Sequence, residues 1–521
     1  MERIVARRAL LAAAVVGIIA QALFVGLAFG VNVIVATAVV LVAAATLGRL
    51  AGRRADPLDG WLPIAAGLVA AGTALRSDDT LMFLDALTAA TLVGASVAAF
   101  AGAAVTRRSM FAIVGLGSVV LLWVTIGILR LSETARRPGP DGPRRPLSAP
   151  ARGVIRGLAL AVPLLLVFGL LFASADAIFA SFAGHLVDWQ VDLGELPLRS
   201  GVAFLIAWVV AGLLAVATGL GEIPLASDAH VTPPVAGAPP PMQSLGAMVA
   251  TPAPAPAAAA TPRLGTVEAL TVLVAVDALF ALFVGLQLAY LFGGLDTMAA
   301  GGITYASYAR RGFFELVAVT CLAGCLVVGL HAVVAQRTRA FVAASLALAG
   351  LTAIILVSAA YRLALYQDAY GWTELRFYVA ATIVWLGVGI AAAAVLLVRD
   401  RMRWLGHAMA IGAVVVLVGL NAIGPQRVVA EANVARLLDP SLVPPDGRQG
   451  IDLDYALTLG HDADPSLAAA LPALSGSDHD VLATDLETRW LDLGNPRYTG
   501  WPAWNLARAR AVDALRPLFG Q

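Results

Sequence analysis

Residues Met1–Gly30 read MERIVARRALLAAAVVGIIAQALFVGLAFG. Arg3, Arg7 and Arg8 precede a long apolar run. A cleaved secretory leader has an apolar core of about 7–15 residues. This run is longer, and a second one, 31–48, follows at once. The stretch therefore reads as a first transmembrane helix, and the rest of the chain repeats its theme.

The chain has 521 residues, 60% of them hydrophobic and 13% charged, with a mean hydropathy of +0.83. Soluble domains carry about 25% charged residues. A chain this long and apolar is expected to be an all-α polytopic transmembrane helix bundle of about 11–12 spans, with a small C-terminal helical extramembrane domain. The net charge of +1 gives no field to draw in nucleic acid, and every basic residue is arginine. Cys321 and Cys325 lie four apart in an apolar run, which suits small packing residues and is too few ligands for a closed metal site.

A span needs about 20 mostly apolar residues. Candidates are 9–29, 31–48, 61–75, 81–104, 109–129, 157–175, 199–219, 266–292, 312–334, 340–360, 377–398 and 404–423, with 61–75 the shortest. Arginine marks cytoplasmic loops. The loop 130–156 carries Arg130, Arg136, Arg137, Arg144, Arg145, Arg152 and Arg156, and Arg399, Arg401 and Arg403 cluster later. Placing both inside leaves the C-terminal tail outside. Arg3, Arg7 and Arg8 want the N-terminus inside, and an odd number of spans is then required. Eleven are preferred, so one candidate does not span, and 61–75 is the weakest.

The expected organisation is a transmembrane block 1–130, a basic Pro-rich cytoplasmic loop 131–156, a helix pair 157–223, a Pro/Ala-rich linker 224–264, a second transmembrane block 265–424 and a soluble helical tail 425–521. The linker's composition favours an extended chain without a packed core. In the tail, charged residues return and short helical patterns alternate with Pro, Gly and Asp.

Ionisable groups inside spans are functional candidates by default. The front block reads as nearly free of them. Asp277 lies well inside the span 266–292, with Gln287 at the edge of its face. It serves either as interhelical glue or as a proton- or cation-linked site. A second concentration begins at ITYASYARRGFFELVAV, Ile303–Val319, which holds Tyr305, Tyr308, Arg310, Arg311 and Glu315. Arg311 and Glu315 are spaced to pair on a helix. The stretch 361–378 adds Arg362, Tyr366, Asp368, Tyr370, Glu374 and Arg376, with Gly371 suggesting a break between helices. These residues are expected to cluster at one membrane face. The cluster is either a charge-balanced clasp or a site for an anionic ligand or lipid headgroup, since arginine forks suit phosphate and carboxylate.

There is no P-loop, HExxH, GxSxG or CxxC, and His185, His230, His331, His407, His461 and His479 are scattered. No cofactor and no catalytic centre are expected. Membrane lipids are the expected partners.

The strings LQLAYLFGG, ITYASYARRGFFELVAV and YRLALYQDAYGWTELRFYVAATIVWLGV, together with LFASADAIFASF, NAIGPQRVVAEANVAR and IDLDYALTLGHDADPSL, cover roughly 155–475. Together they resemble a bacterial multi-pass membrane family catalogued as domain of unknown function 4173, related to 4153. The resemblance implies a location in the bacterial inner membrane and supplies no activity. Asp176, within LFASADAIF, joins the candidates on that basis alone. An acidic residue is common in the family pattern where Ser307 stands here, which removes one partner for Arg310 and Arg311. Two function classes stay open: transport or lipid and anion handling, and a non-catalytic envelope scaffold or sensor that couples the tail to partners.

Overall fold

The computed structural model describes residues 2–108, scattered helical positions between 120 and 135, and 196–219, 266–292, 313–334, 336–444, 447, 448 and 450–520. Among these there is no strand. Eight helices among the described residues are long and apolar enough to cross a membrane. The protein is an all-α polytopic helix bundle.

In chain order the helices are α1 (Glu2–Phe24), α2 (Val31–Leu50), α3 (Trp61–Leu75), α4 (Asp79–Phe100), α5 (Leu196–Ala217), α6 (Thr266–Phe292), α7 (Phe313–Val333), α8 (Arg339–Tyr370), α9 (Glu374–Val398), α10 (Leu405–Ile423), α11 (Pro425–Leu438), α12 (Leu453–Ala456), α13 (Asp464–Ala470), α14 (Ser477–Leu493) and α15 (Leu506–Phe519). They fall into two compact units. The first comprises 1–223, 367–381 and 409–521, and the second 224–366 and 382–408.

In the first unit small residues let helices approach closely, the packing mode open to helices in lipid. A Cβ on Gly17 of α1 would stand 2.3 Å from the Ala203 carbonyl of α5. The hairpin between α1 and α2 is tied by buried Asn32. Its Nδ2 donates to the Leu23 and Ala28 carbonyls at 2.9 and 3.0 Å, and its Oδ1 accepts from Gly30 N at 2.8 Å. The outer faces stay apolar: Leu11, Ile64 and Phe83 are 67%, 65% and 66% exposed, as lipid-facing residues should be.

The short candidate 61–75 is a complete helix that reaches from one end of this bundle to the other. Near its start the Trp61 indole donates to Thr106 Oγ1 at 3.2 Å, beside the end of α4. Near its finish the Thr73 hydroxyl donates to the Gly30 carbonyl at 3.2 Å, at the α1–α2 turn. The ends of α2, α4 and α5 meet around Gly48, where a Cβ would lie 3.2 Å from the Phe100 carbonyl and 3.1 Å from that of Ala217. Arg49, Arg53, Arg54, Arg107 and Arg108 gather at this end.

The tail belongs to the same unit. Its own core is built from Val429, Leu459, Leu467, Leu482, Leu486 and Leu515, all buried. Arg489 ties α14 to α13 through Asp464 at 2.9 Å and also donates to the Leu459 and Leu457 carbonyls. Side-chain caps start the tail helices: Asp452 for α12 and Asn505 for α15. Gly424, at φ +76°, makes the sharp turn from α10 into α11.

The second unit packs α6, α7, α8 and α9 around Leu273, Val327, Leu330, Phe341, Leu348 and Leu397. Arg337 and Asp400 pair at 3.0 Å on its exposed rim. The helix α8 is continuous for 32 residues, about 48 Å at 1.5 Å per residue. It therefore runs well past residue 360, where the sequence pattern suggests an end, and stops at Tyr370. Gly371, at φ +83°, forms the break before α9.

Candidate functional site

The polar residues of the first unit collect where the tail meets the bundle. At the end of α3, Arg76 turns into the gap beneath α10. Its Nε donates to the Asn421 carbonyl at 2.6 Å, its Nη2 to that of Ala422 at 2.8 Å, and its Nη1 pairs with Asp462 Oδ1 at 3.1 Å. The two side chains are only 6% and 3% exposed. The second oxygen of Asp462 accepts from Ser77 N at 2.7 Å and from its hydroxyl at 3.2 Å. A buried ion pair with both partners fully hydrogen-bonded is the form that tolerates burial, whereas removing one partner strands a charge. Asn505 adds bonds to the Thr73 and Arg76 carbonyls, and Arg508 one to that of Phe29. Burial pushes the Arg508 guanidinium down from its usual range, while the Tyr498 ring beneath it acts the other way.

Next to this clamp lies a group of acids. Asp78 caps α4 through Leu81 N at 3.0 Å and accepts from the Tyr378 hydroxyl at 2.5 Å. Asp85, fully buried within α4, accepts from Asn421 Nδ2 of α10 at 2.8 Å. Glu374 accepts from Gln426 Nε2 at 2.8 Å, and its own N–H donates to the Tyr455 hydroxyl at 2.7 Å. Burial pushes the Tyr455 phenol up to about 12, against the pull of the Glu374 N–H. Expecting the front block to be nearly free of polar groups is therefore a misreading: Asp85 lies inside its fourth helix, and Arg76 and Asp78 flank it.

A third feature is a cavity of about 110 Å³ lined by Tyr370, Arg376, Asn433, Arg436, Arg448 and Tyr455, among others. Arg436 is 6% exposed. Its guanidinium donates to backbone carbonyls, those of Asp368, Ala369 and Arg448. Burial lowers its affinity for its proton, Asp368 opposes that, and neighbouring Arg376 adds to it. Arg376 donates to the Gly371 carbonyl at 2.5 Å, and Arg448 pairs with Asp452 at 2.6 Å.

The candidates from the sequence are thus divided. Tyr370 and Arg376 line the cavity, and Asp368 supplies a carbonyl to Arg436. Glu374 stands with the buried acids instead. Arg362 and Tyr366 stand on α8 in the second unit. Asp277 is half-buried on α6, and its Oδ1 has no hydrogen-bond partner among the described residues. Glu315 and Gln287 are on α7 and α6, with side chains outside the described ones. Tyr305, Tyr308, Arg310, Arg311 and Asp176 lie outside the described residues.

Residue-by-residue reading passes over Arg76, Asp78, Asp85, Asn421, Asp462, Arg436 and Arg448. The signal for some was present. Asn421 and Arg436 lie in NAIGPQRVVAEANVAR and Asp462 in IDLDYALTLGHDADPSL, strings dense in polar residues just beyond an apolar run.

This architecture defines a multi-pass membrane protein with an integral helical tail. The chain belongs to the family described as Domain of unknown function (DUF4153), whose pattern matches residues 64–470. The match begins in α3 and ends in α13, so it takes in both Arg76 and Asp462. Neither a search of the curated proteins nor one of the solved structures returns a match.

Proposed function

We propose that this is a protein of the bacterial inner membrane that handles an anion, or the anionic headgroup of a lipid, in the arginine-lined cavity at the tail end of the first unit. One observation carries the reading: buried Arg436 donates to carbonyl oxygens beside a second arginine, Arg376, in a cavity whose lining includes a third. The lining sets three arginines against one carboxylate, Asp452, a balance that suits a phosphate or carboxylate group. Asn433 and Tyr455 add polar groups around it.

The orientation that fits is N-terminus in the cytoplasm and tail outside. The arginine-rich end lies opposite the tail, as the positive-inside rule asks. Arg3 and Arg7 donate to the Ala135 carbonyl at 3.3 and 3.2 Å, so Arg108 and Ala135 both stand at the basic end.

The test is native mass spectrometry of the purified protein in mild detergent, wild type beside Arg376→Gln/Arg448→Gln. The expected result is an adduct carrying phosphate or an anionic lipid that the double variant loses while its circular dichroism is unchanged. An adduct retained by the folded variant, or none in the wild type, overturns the reading. The alternative, a scaffold or sensor acting through the tail, draws on the Arg76–Asp462 clamp. It predicts that the arginine variants keep full function in cells while Asp462→Ala does not.

A further inference from the structure

A different place in the first unit carries an inference about the protons this protein holds. Asp85 on α4 and Asn421 on α10 are 0% and 3% exposed. Asn421 Nδ2 donates to Asp85 Oδ1 at 2.8 Å and to the Leu417 carbonyl at 3.0 Å. These two acceptors fix which way the amide faces, because turning it over would set its oxygen against the Leu417 carbonyl. Two oxygens are left over, Asp85 Oδ2 and Asn421 Oδ1. Both are buried, and neither has a hydrogen-bond partner among the described residues. They also converge on one spot. A Cβ built on Gly72 of α3 would stand 2.4 Å from the first and 2.5 Å from the second.

Two buried acceptors gathered at one point, with no donor among the described residues, are costly twice over, in lost hydration and in mutual repulsion. A single hydrogen atom removes both costs. We propose that Asp85 carries a proton, which its Oδ2 donates to Asn421 Oδ1. With the existing bond from Nδ2 to Oδ1, this closes a two-bond acid–amide ring between α4 and α10. Gly72 is the residue that lets the ring form, since any side chain there would occupy the space of its oxygens.

The ring is a proton-binding site wired to the tail. The Asn421 and Ala422 carbonyls are the anchors of Arg76, which in turn holds Asp462. On release the O–H bond of Asp85 breaks, the electron pair stays on Oδ2, and the proton passes to water or to a neighbouring acid. The charged carboxylate then faces Asn421 Oδ1 directly, and the repulsion pushes α10 away from α4 at the point where the tail is clamped. The titratable and charged groups around the ring are Asp78 on the α4 side, Tyr378 and Glu374 from α9, and Arg76 from the end of α3. No arginine among the described residues pairs with Asp85, so none competes with the proton for the carboxylate.

The experiment is infrared spectroscopy of the full-length protein at neutral pH, taking the difference between wild type and Asp85→Asn. The variant keeps the ring shape, because its amide can donate to Asn421 Oδ1, so it should fold. The expected result is loss of one protonated-carboxyl stretching band. A difference spectrum that shows loss of a carboxylate pair of bands instead overturns the proposal. So does a thermal transition that rises with sodium or potassium in wild type and not in Asp85→Asn, which assigns the gap to a metal cation. Should Asp85→Asn fail to accumulate, Asn421→Leu serves: the acid band must move to higher frequency as its carbonyl loses the amide donor, and an unmoved band counts against the ring.

Discussion

The two units spend their polar residues differently. In the second, the residue that draws the eye is Asp277, midway along an unbroken apolar helix, and its Oδ1 has found no partner among the described residues. In the first, Arg76, Asp85, Asn421 and Asp462 stand at or near helix ends, where each alone looks like ordinary boundary polarity, yet hydrogen bonds join them into one buried network, with Asp78 beside it. Position within a span is thus a poor guide to importance on its own. What distinguishes the first unit is that a folded tail closes over the helix ends, turning residues that would face water into buried ones that must pair.

The strongest way to break this comparison is to remove one half of the clamp. Asp462→Ala leaves the Arg76 guanidinium buried without its carboxylate, and should cost about 3–5 kcal/mol in a denaturation series in detergent. Replacing both partners, Arg76→Met with Asp462→Leu, should cost distinctly less, because no stranded charge remains. Equal losses would mean that the pair is exposed in solution.

Next comes Gly72→Ala. The added Cβ meets Asp85 Oδ2 and Asn421 Oδ1 well inside contact distance, so overpacking should cost about 1–3 kcal/mol, read from the same transition. Gly67→Ala, five residues back on the same helix in open space, should cost nothing and is the control.

The tail side offers a pH test. Tyr455 is held neutral up to about 12 in the fold, above the value of about 10 for a free phenol. Its contribution is present below pH 10 and is lost as pH rises toward 12, because the unfolded chain ionises first. Alkaline destabilisation should therefore be shallower in Tyr455→Phe than in wild type, by an amount on the order of 2 kcal/mol at its greatest. The smallest effect belongs to the second unit. Asp277→Leu removes a half-buried acid that no described group answers, and should change stability by less than about 1 kcal/mol. A large loss there would erase the contrast between the units and give Asp277 a partner.

The helices were legible in the sequence because long apolar runs in a charge-poor chain permit little else. The break at Gly371 was legible too, since glycine there takes φ +83°. The clamp was not. Arg76 and Asp462 are 386 residues apart, and no periodicity reports a pairing of that range. Asp85 escaped notice for a local reason: with Asp78 and Asp79 just upstream, it reads as the end of a polar boundary rather than as a buried acid. Of the arginines that line the cavity, Arg376 stands in a stretch marked out by its polar and aromatic density, whereas Arg436 and Arg448 lie among ordinary tail arginines.

The same separation has a consequence for how the protein is made. A chain emerges at about 5–20 residues per second, so Arg76 enters the bilayer roughly 20–80 s before Asp462, 386 residues later, exists to meet it. Through that interval the end of α3 must be kept wet, lipid-bound or chaperoned, since its arginine has nothing to close on. The tail thus finishes a helix inserted long before it, and a ribosome that stops short of Asp462 releases a bundle in which the end of α3 was never sealed.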